Sequence, residues 1–333
     1  GEQANVGVID PDRVDHHHPL VQEAEIVHVA HQRLAVLDVA EHALQSRLED
    51  MDVERQISTA QMAESHGFSA VYFRDVPLHV PSFGDVGHIY DPWVFMGYVA
   101  AHTTRIALAT GSIVTTLRHP LHLAKAAASV DRLSGQRLVL GLATGDRPTE
   151  FAAFKATIDD RQELFQESLA VMRRAWSEAF PRVSTPRVDL SGGDLLPKPL
   201  LGSIPVMVTG NSRQSLEWIT QHADGWLYYP QSLEQQASTI DRWRSLTRVF
   251  KPFAQSLYLD LSENPDDPPT SIHMGFRAGH RFLIQYLEML RDIGVNHVGL
   301  NLKYGRRPAH EAPGAPSSED DTRPHRCGAR DLQ

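Results

Sequence analysis

The chain has 333 residues, 41% of them hydrophobic, with a formal net charge of −9 and a single cysteine, Cys327. This length can bury one core of roughly 250 residues or two smaller ones. The acidic balance excludes the electrostatic footprint of non-specific nucleic-acid binding, and the lone cysteine excludes intrachain disulfides and thiolate metal cages.

Residues 1 to 32 show no firm periodicity. His16-His17-His18 reads as a solvated tract, because adjacent side chains diverge on any regular backbone. A weak strand follows at Leu34 to Val39. From Asp52 the pattern sharpens: Ile57, Ala60, Met62, Ala63 and the closing Gly67 describe an amphipathic helix feeding a strand at Ala70 to Phe73. Arg74 and Asp75 stand at that strand's carboxyl end. After a turn-rich loop, Asp91-Pro92 opens a helix running through Thr103. Arg105 to Thr110 is an apolar run suited to a strand buried on both faces. His119-Pro120 then starts a helix that Gly135 stops, and Arg137 to Ala143 is the next strand, leading into Thr144-Gly145-Asp146.

Arg161 to Trp176 reads as a helix, and Phe180 to Ser203 as a long irregular insertion, a length typical of lids and binding loops. Strands at Ile204 to Thr209, Gly225 to Tyr229, Ser256 to Leu261 and Val295 to Leu302 alternate with helices at Ser212 to His222, Leu233 to Val249 and Arg281 to Ile293. Eight strands interleaved with helices favour a (β/α)8 barrel over an open sheet, with residues 33 to 308 forming the barrel and the insertion following its fourth strand-helix unit. Pro308, Pro313 and Pro316 forbid a closing eighth helix, so residues 309 to 333 are expected to be a polar tail and the Val295 to Leu302 seam to be weakly closed. No apolar run reaches the roughly 20 residues of a membrane span, and no signal-peptide layout is present at the start; the expectation is a cytoplasmic protein with no membrane partner.

In a parallel barrel, ligands bind at the carboxyl ends of the strands. Gly210-Asn211-Ser212 with Ser215 joins a strand to a helix, where hydroxyls and backbone N–H groups suit a phosphate; an ordinary serine cap reads equally well. At the third strand's end Gly111 lets a flat ring approach the backbone, or is needed only for packing, and Ser112 adds a hydroxyl. Arg74 with Asp75, and Asp146 with Arg147, read as strand-end ion pairs on the ligand face. Tyr228, Tyr229, Asp260 and Asn301 share that face by alternation. There is no G-x-S-x-G elbow, no G-x-x-x-x-G-K-[ST] loop and no H-E-x-x-H, and His119 with His122 lacks a nearby acid to complete a metal set.

The stretches TTLRHPLHLAKAAASVDRLSGQRLVLGLATGDRP, PKPLLGSIPVMVTGNSRQSLEWI and HADGWLYYP, with RDVPL before them and GVNHVGLNLKYGRRP after, are long joined motifs. Over about residues 51 to 308 the chain resembles the bacterial luciferase-like flavin monooxygenases, in particular their luciferase-type oxidoreductase subgroup. The resemblance implies a barrel binding FMN, or in some relatives a deazaflavin, at the strands' carboxyl face. Residue by residue, it implies Ser212, Ser215 and the adjoining N–H groups of Gly210 and Asn211 at the phosphate, and Thr110, Gly111 and Ser112 against the ring, where a non-proline cis bond is common. Thr144 and Asp146 would line the flavin.

The activity implied is a flavin-dependent monooxygenase or oxidoreductase in which reduced flavin activates dioxygen to oxygenate a small organic substrate. NAD(P)H or a separate flavin reductase would supply electrons. Arg74 would stabilise negative charge, and Asp75 or His119 would relay a proton. A homodimer is implied through the helices that carry Val94, Met96, Ala100, Ala126 and Ala127, read as exposed. Two alternatives are a flavin-binding barrel without turnover and a non-flavin barrel enzyme acting on a phosphorylated metabolite.

Overall fold

The computed structural model describes residues 35–38, 53–80, 83, 90–302 and 304, with backbone only for the first of these segments; the expected unreadable start and polar tail lie outside them. The chain runs β1 (Ala35–Asp38), α1 (Val53–Ser65), β2 (Ala70–Phe73), α2 (Pro92–His102), β3 (Ala107–Thr110), β4 (Ile113–Val114), α3 (Pro120–Ser134) and β5 (Leu138–Ala143). It continues with α4 (Pro148–Ala153), α5 (Arg161–Ser177), the hairpin β6 (Val183–Ser184) and β7 (Asp189–Leu190), β8 (Val206–Thr209), α6 (Leu216–His222) and β9 (Gly225–Tyr228). The last third holds α7 (Leu233–Leu246), β10 (Phe253–Leu261), the hairpin β11 (Thr270–Ile272) and β12 (Gly275–Ala278), α8 (His280–Asp292) and β13 (His297–Asn301).

Helix starts follow their local chemistry. Asp91 caps α2, its carboxylate accepting from Trp93 N–H and Val94 N–H with Pro92 at the first position. α3 begins at Pro120 and ends on Gly135, whose φ of 68° is the left-handed conformation that glycine adopts without steric cost.

Eight parallel strands close into a ring in the order β1, β2, β3, β5, β8, β9, β10, β13, with β9 pairing β10 and β13 pairing β1. The chain is therefore a (β/α)8 barrel with a long insertion after its fourth strand, as the alternation implied. β1 registers Ala35–Leu37 against Val298–Leu300 and Val36–Asp38 against Ala70–Tyr72. The seam expected to be weakly closed thus carries strand pairing on both sides of β1.

Alternation along each strand divides the core in two. Ala70, Tyr72, Ala109, Met207, Leu227 and Ala254 fill the lumen. Their neighbours Val71, Phe73, Leu108, Val206, Val208 and Phe253 face outward into the shell packed against the helices, where Trp176 and Trp243 are buried. That packing corrects part of the pairing surface: Met96, Ala100 and Ala127 lie in the shell, while Val94 is 74% exposed.

One side chain ties the amino-terminal end of the barrel together. The Arg137 guanidinium donates to the carbonyls of Ala100, Thr103, Ile106 and Ser134 and to Thr103 Oγ1, joining the ends of α2 and α3 to the start of β3. Each half-buried carbonyl left without a donor costs about 1–3 kcal/mol. The Arg137→Ala variant should therefore melt at least about 5 °C below wild type, as scanning calorimetry would show; an unchanged Tm would mean that solvent replaces the guanidinium without loss.

Candidate active site

The carboxyl ends of the strands surround a cavity of about 440 Å³, within the usual range for small-molecule sites. Its wall is built from Arg74 and Asp75 after β2, Gly111 and Ser112 after β3, Ala143 to Arg147 after β5, and Thr209 to Ser212 after β8. Tyr228 and Tyr229 after β9, Ser256 and Tyr258 of β10, and Gly299 and Asn301 of β13 complete it.

Tyr72 forms the floor. A Cβ on Gly111 would lie 3.1 Å from one edge of its ring and a Cβ on Gly299 would lie 3.3 Å from the other, so two bare backbones let the ring lie across the top of the lumen. The Gly111–Ser112 bond is cis, and the Ser112 hydroxyl bonds that of Thr209 across the cavity.

The loop after β8 is a backbone cradle. Gly210, Ser212 and Arg213 have φ of 55°, 42° and 61°, and a Cβ on Gly210 would stand 2.9 Å from Tyr229 Cε2. A tight turn of this kind can gather backbone N–H groups into an anion-binding concavity. Among the described residues no acceptor takes the N–H of Ser212 or Arg213. A phosphate fits here: the donors are backbone amides, while the Ser212 hydroxyl is engaged by the Thr209 carbonyl.

The charged wall is arranged differently from the sequence pairing. Asp75 pairs with Arg118, not Arg74: Arg118 donates to both carboxylate oxygens at 3.2 and 2.6 Å, and Val114 N–H adds a third bond at 3.0 Å. Burial works against the charge of Arg118, but Asp75 more than offsets this and holds its pKa above the usual arginine value. Arg147 pairs with Glu150 at 3.4 Å instead of Asp146, and its guanidinium lies 5.1 Å from the centre of the Phe83 ring. Burial pushes the Glu150 carboxyl up, against the opposing charge of Arg147. Tyr229 is pushed up by burial and by the nearby Asp146.

Of the residues singled out from sequence, Arg74, Asp75, Gly111, Ser112, Thr144, Asp146, Gly210, Asn211 and Ser212 meet at the cavity. Three do not. His119 caps α3, Nδ1 accepting from Leu121 N–H at 3.3 Å while Nε2 lies 3.0 Å from the Arg187 carbonyl, so both ring nitrogens are spent away from the wall. Thr110 is buried with its hydroxyl donating to Gly141 O at 2.7 Å. Ser215 is the ordinary cap, accepting from Trp218 N–H. Asp260, placed on this face by alternation, is spent on Arg277 at 3.0 Å.

Sequence reasoning missed Tyr72, which shares the lumen face with Ala70, and Glu150, which sits on α4, an element too short for a periodic signal. It also missed His273 and Met274; no local pattern marks a hairpin that folds back over the cavity. No three His, Cys, Asp or Glu side chains gather in a metal-binding group, and no helix is long and apolar enough to cross a membrane, among the described residues.

The sequence profile of the luciferase-like monooxygenases matches residues 16–256, more than half of the chain. The chain belongs to this family. Its luciferase-like relatives include an uncharacterised Mycobacterium tuberculosis protein, 30% identical over 230 residues covering 63% of this chain and 80% of that protein. The F420-dependent hydroxymycolic acid dehydrogenase of the same organism is 30% identical over 190 residues, covering 54% of this chain and 50% of the relative. Among solved luciferase-like folds, EDTA monooxygenase from Chelativorans sp. BNC1 superposes with a TM-score of 0.68 at 17% identity, over 80% of this chain and 88% of that one. Family members are monooxygenases and oxidoreductases, which supports an enzyme of that broad class.

Glu150 gives this luciferase-like site a measurable signature. Because its folded pKa exceeds the ordinary value of 4.5, the folded state binds its proton more tightly than the unfolded one, and stability falls as the pH rises through that window. The Glu150→Gln variant lacks this loss. Its Tm relative to wild type should therefore climb as the pH rises above about 4.5, on top of a pH-independent offset from the altered contact with Arg147. A constant difference would place Glu150 in a solvent-like setting.

Proposed function

We propose that this chain is an oxidoreductase that binds a phosphorylated flavin-type cofactor at the cavity, with FMN as the first reading, and acts on a small organic substrate. The observation that carries it is the joining, in one wall, of the backbone turn at Gly210–Ser212, suited to a phosphate, to the open Gly111–Ser112 backbone over Tyr72. Arg74, Asp146 and Glu150 line the same cavity and would neighbour a ring held there. The deazaflavin reading is favoured by a specific observation, the 30% identity to an F420-dependent dehydrogenase.

A bound flavin or deazaflavin would supply the redox chemistry, and the protein would supply position, charge and protons. The Ser212 and Arg213 amides would hold the phosphate. Arg74 would favour negative charge at the ring edge. Asp75 is an anchor, since all its bonds go to Arg118 and Val114. The proton role suggested for Asp75 or His119 therefore passes to Glu150, whose carboxyl is at the wall and inclined to keep its proton. Tyr228, Tyr229 and Tyr258 would exclude water from the substrate side.

Titration of the purified chain with FMN, riboflavin and coenzyme F420, followed by fluorescence quenching, tests the reading. One phosphorylated ligand should bind in the micromolar range or tighter, corresponding to about −8 kcal/mol. Mass spectrometry of any cofactor released by denaturation should name the same molecule. Failure of all three ligands to bind would leave the cavity to a non-flavin metabolite.

A further inference from the structure

We infer that Gln214 is the positioning residue of the phosphate cradle, and that the hydroxyls of Ser212 and Ser215 contribute little to phosphate binding. The inference rests on the cofactor reading above. Gln214 is 6% exposed. Its Nε2 donates to the carbonyls of Ser212 and of Gln162, each at 3.1 Å, and its Oε1 accepts from Gln166 Nε2 at 2.7 Å. Both ends of the amide are therefore engaged, stapling the loop to two neighbouring positions of α5.

What the staple holds is a conformation that the sequence itself disfavours. Ser212 and Arg213 are non-glycine residues at positive φ, a region that such side chains occupy only when the surroundings over-determine it. By holding the Ser212 carbonyl, Gln214 fixes the peptide that Ser212 shares with Arg213, and this peptide carries one of the cradle's amides. The rest of the loop is closed on itself: Gly210 N–H donates to Leu227 O at 2.8 Å, Trp226 Nε1 donates to Gly210 O at 2.7 Å, and Gln214 N–H donates to Asn211 O at 2.7 Å. The two serine hydroxyls are occupied. Ser212 Oγ donates to Thr209 O at 2.7 Å, and Ser215 Oγ accepts from Trp218 N–H at 3.1 Å. A phosphate would meet amides, and their direction depends on a buried glutamine that faces away from the ligand.

The test compares ligands that carry the phosphate with counterparts that lack it. FMN and riboflavin, and in parallel F420 and its deazaflavin core without the phosphate, are titrated into wild type and into Gln214→Leu, Gln166→Leu and Ser215→Ala full-length chains, with Tm measured for each. Wild type should prefer the phosphorylated member of one pair about tenfold or more. Gln214→Leu should lose most of that preference while keeping its affinity for the unphosphorylated member within about twofold, and Gln166→Leu should lose part of it. Ser215→Ala should lower Tm and leave the preference intact. A preference unchanged in Gln214→Leu overturns the inference alone, as does an equal loss for both members of the pair. If Gln214→Leu fails to fold, Gln166→Leu decides: an unchanged preference in that variant also overturns the inference. A wild type that binds neither pair overturns the cofactor reading and this inference together.

Discussion

The cavity depends on one close approach between neighbouring strands. A Cβ on Gly141 would sit 1.9 Å from the Thr110 carbonyl oxygen, so only glycine lets β3 and β5 come together there, and the Thr110 hydroxyl fastens the contact by donating to the Gly141 carbonyl. Just beyond it the ladder slips. β3 pairs Ala109 with Val139 and β4 pairs Ile113 with Leu142, so three residues, 110–112, stand opposite two, 140–141. Such a bulge bends the strand and redirects its side chains. Here it brings the Gly111 backbone and the Ser112 hydroxyl to the cavity, where the bond to Thr209 carries the constraint on to β8 and the phosphate cradle.

Charge at the wall is settled before any ligand arrives. Asp75 and Arg118 neutralise each other, with Asp91, the α2 cap, 3.4 Å from the same guanidinium. This pair therefore joins the end of β2, the end of β4 and the first turn of α2. Arg147 with Glu150 makes a second, longer pair in a drier place. Leaving either member of a buried pair alone costs several kcal/mol, so both pairs favour a wall that keeps its shape. Burial displaces the proton equilibrium of Glu150, in the looser pair, upward. Which acid is the anchor cannot be read from residue type.

The barrel was legible in the sequence because its elements announce themselves locally. Apolar runs ending in glycine, proline at helix starts and a Gly135 stop each act over a few residues, and the strands at Ala70–Phe73 and Gly225–Tyr228 fall where the pattern put them, within a residue. The strand ends were legible as a ligand face for the same reason. Individual pairings were not. Arg74 and Asp75 are adjacent in sequence, yet side chains of adjacent strand-end residues point apart, so Asp75 found a partner 43 residues later. His119 and Ser215 carry the chemistry of a site and the geometry of a cap, and only the fold distinguishes these. Gln214 had no signal, because its role is fixed by two turns of a helix 48 to 52 residues earlier.

β10 is longer than the barrel requires. Its first residues close the ring against β9 and β13, while Tyr258 to Leu261 run past the rim and pair with β12. The hairpin docked on this overhang brings His273 and Met274 to the cavity, with the Met274 carbonyl bonded to Tyr258 N–H at 3.1 Å. This part of the wall is thus attached to the barrel without being one of its staves. The hairpin's inner strand is fixed, since Gly275 lies against the Tyr258 backbone and Phe276 and Ala278 are in the core. The exposed β11 and the turn at His273–Met274 can change while the ring keeps its register, so evolution or design could retarget what enters the cavity there at little cost in fold stability. The bulge, the cradle and the anchored pairs offer no such freedom.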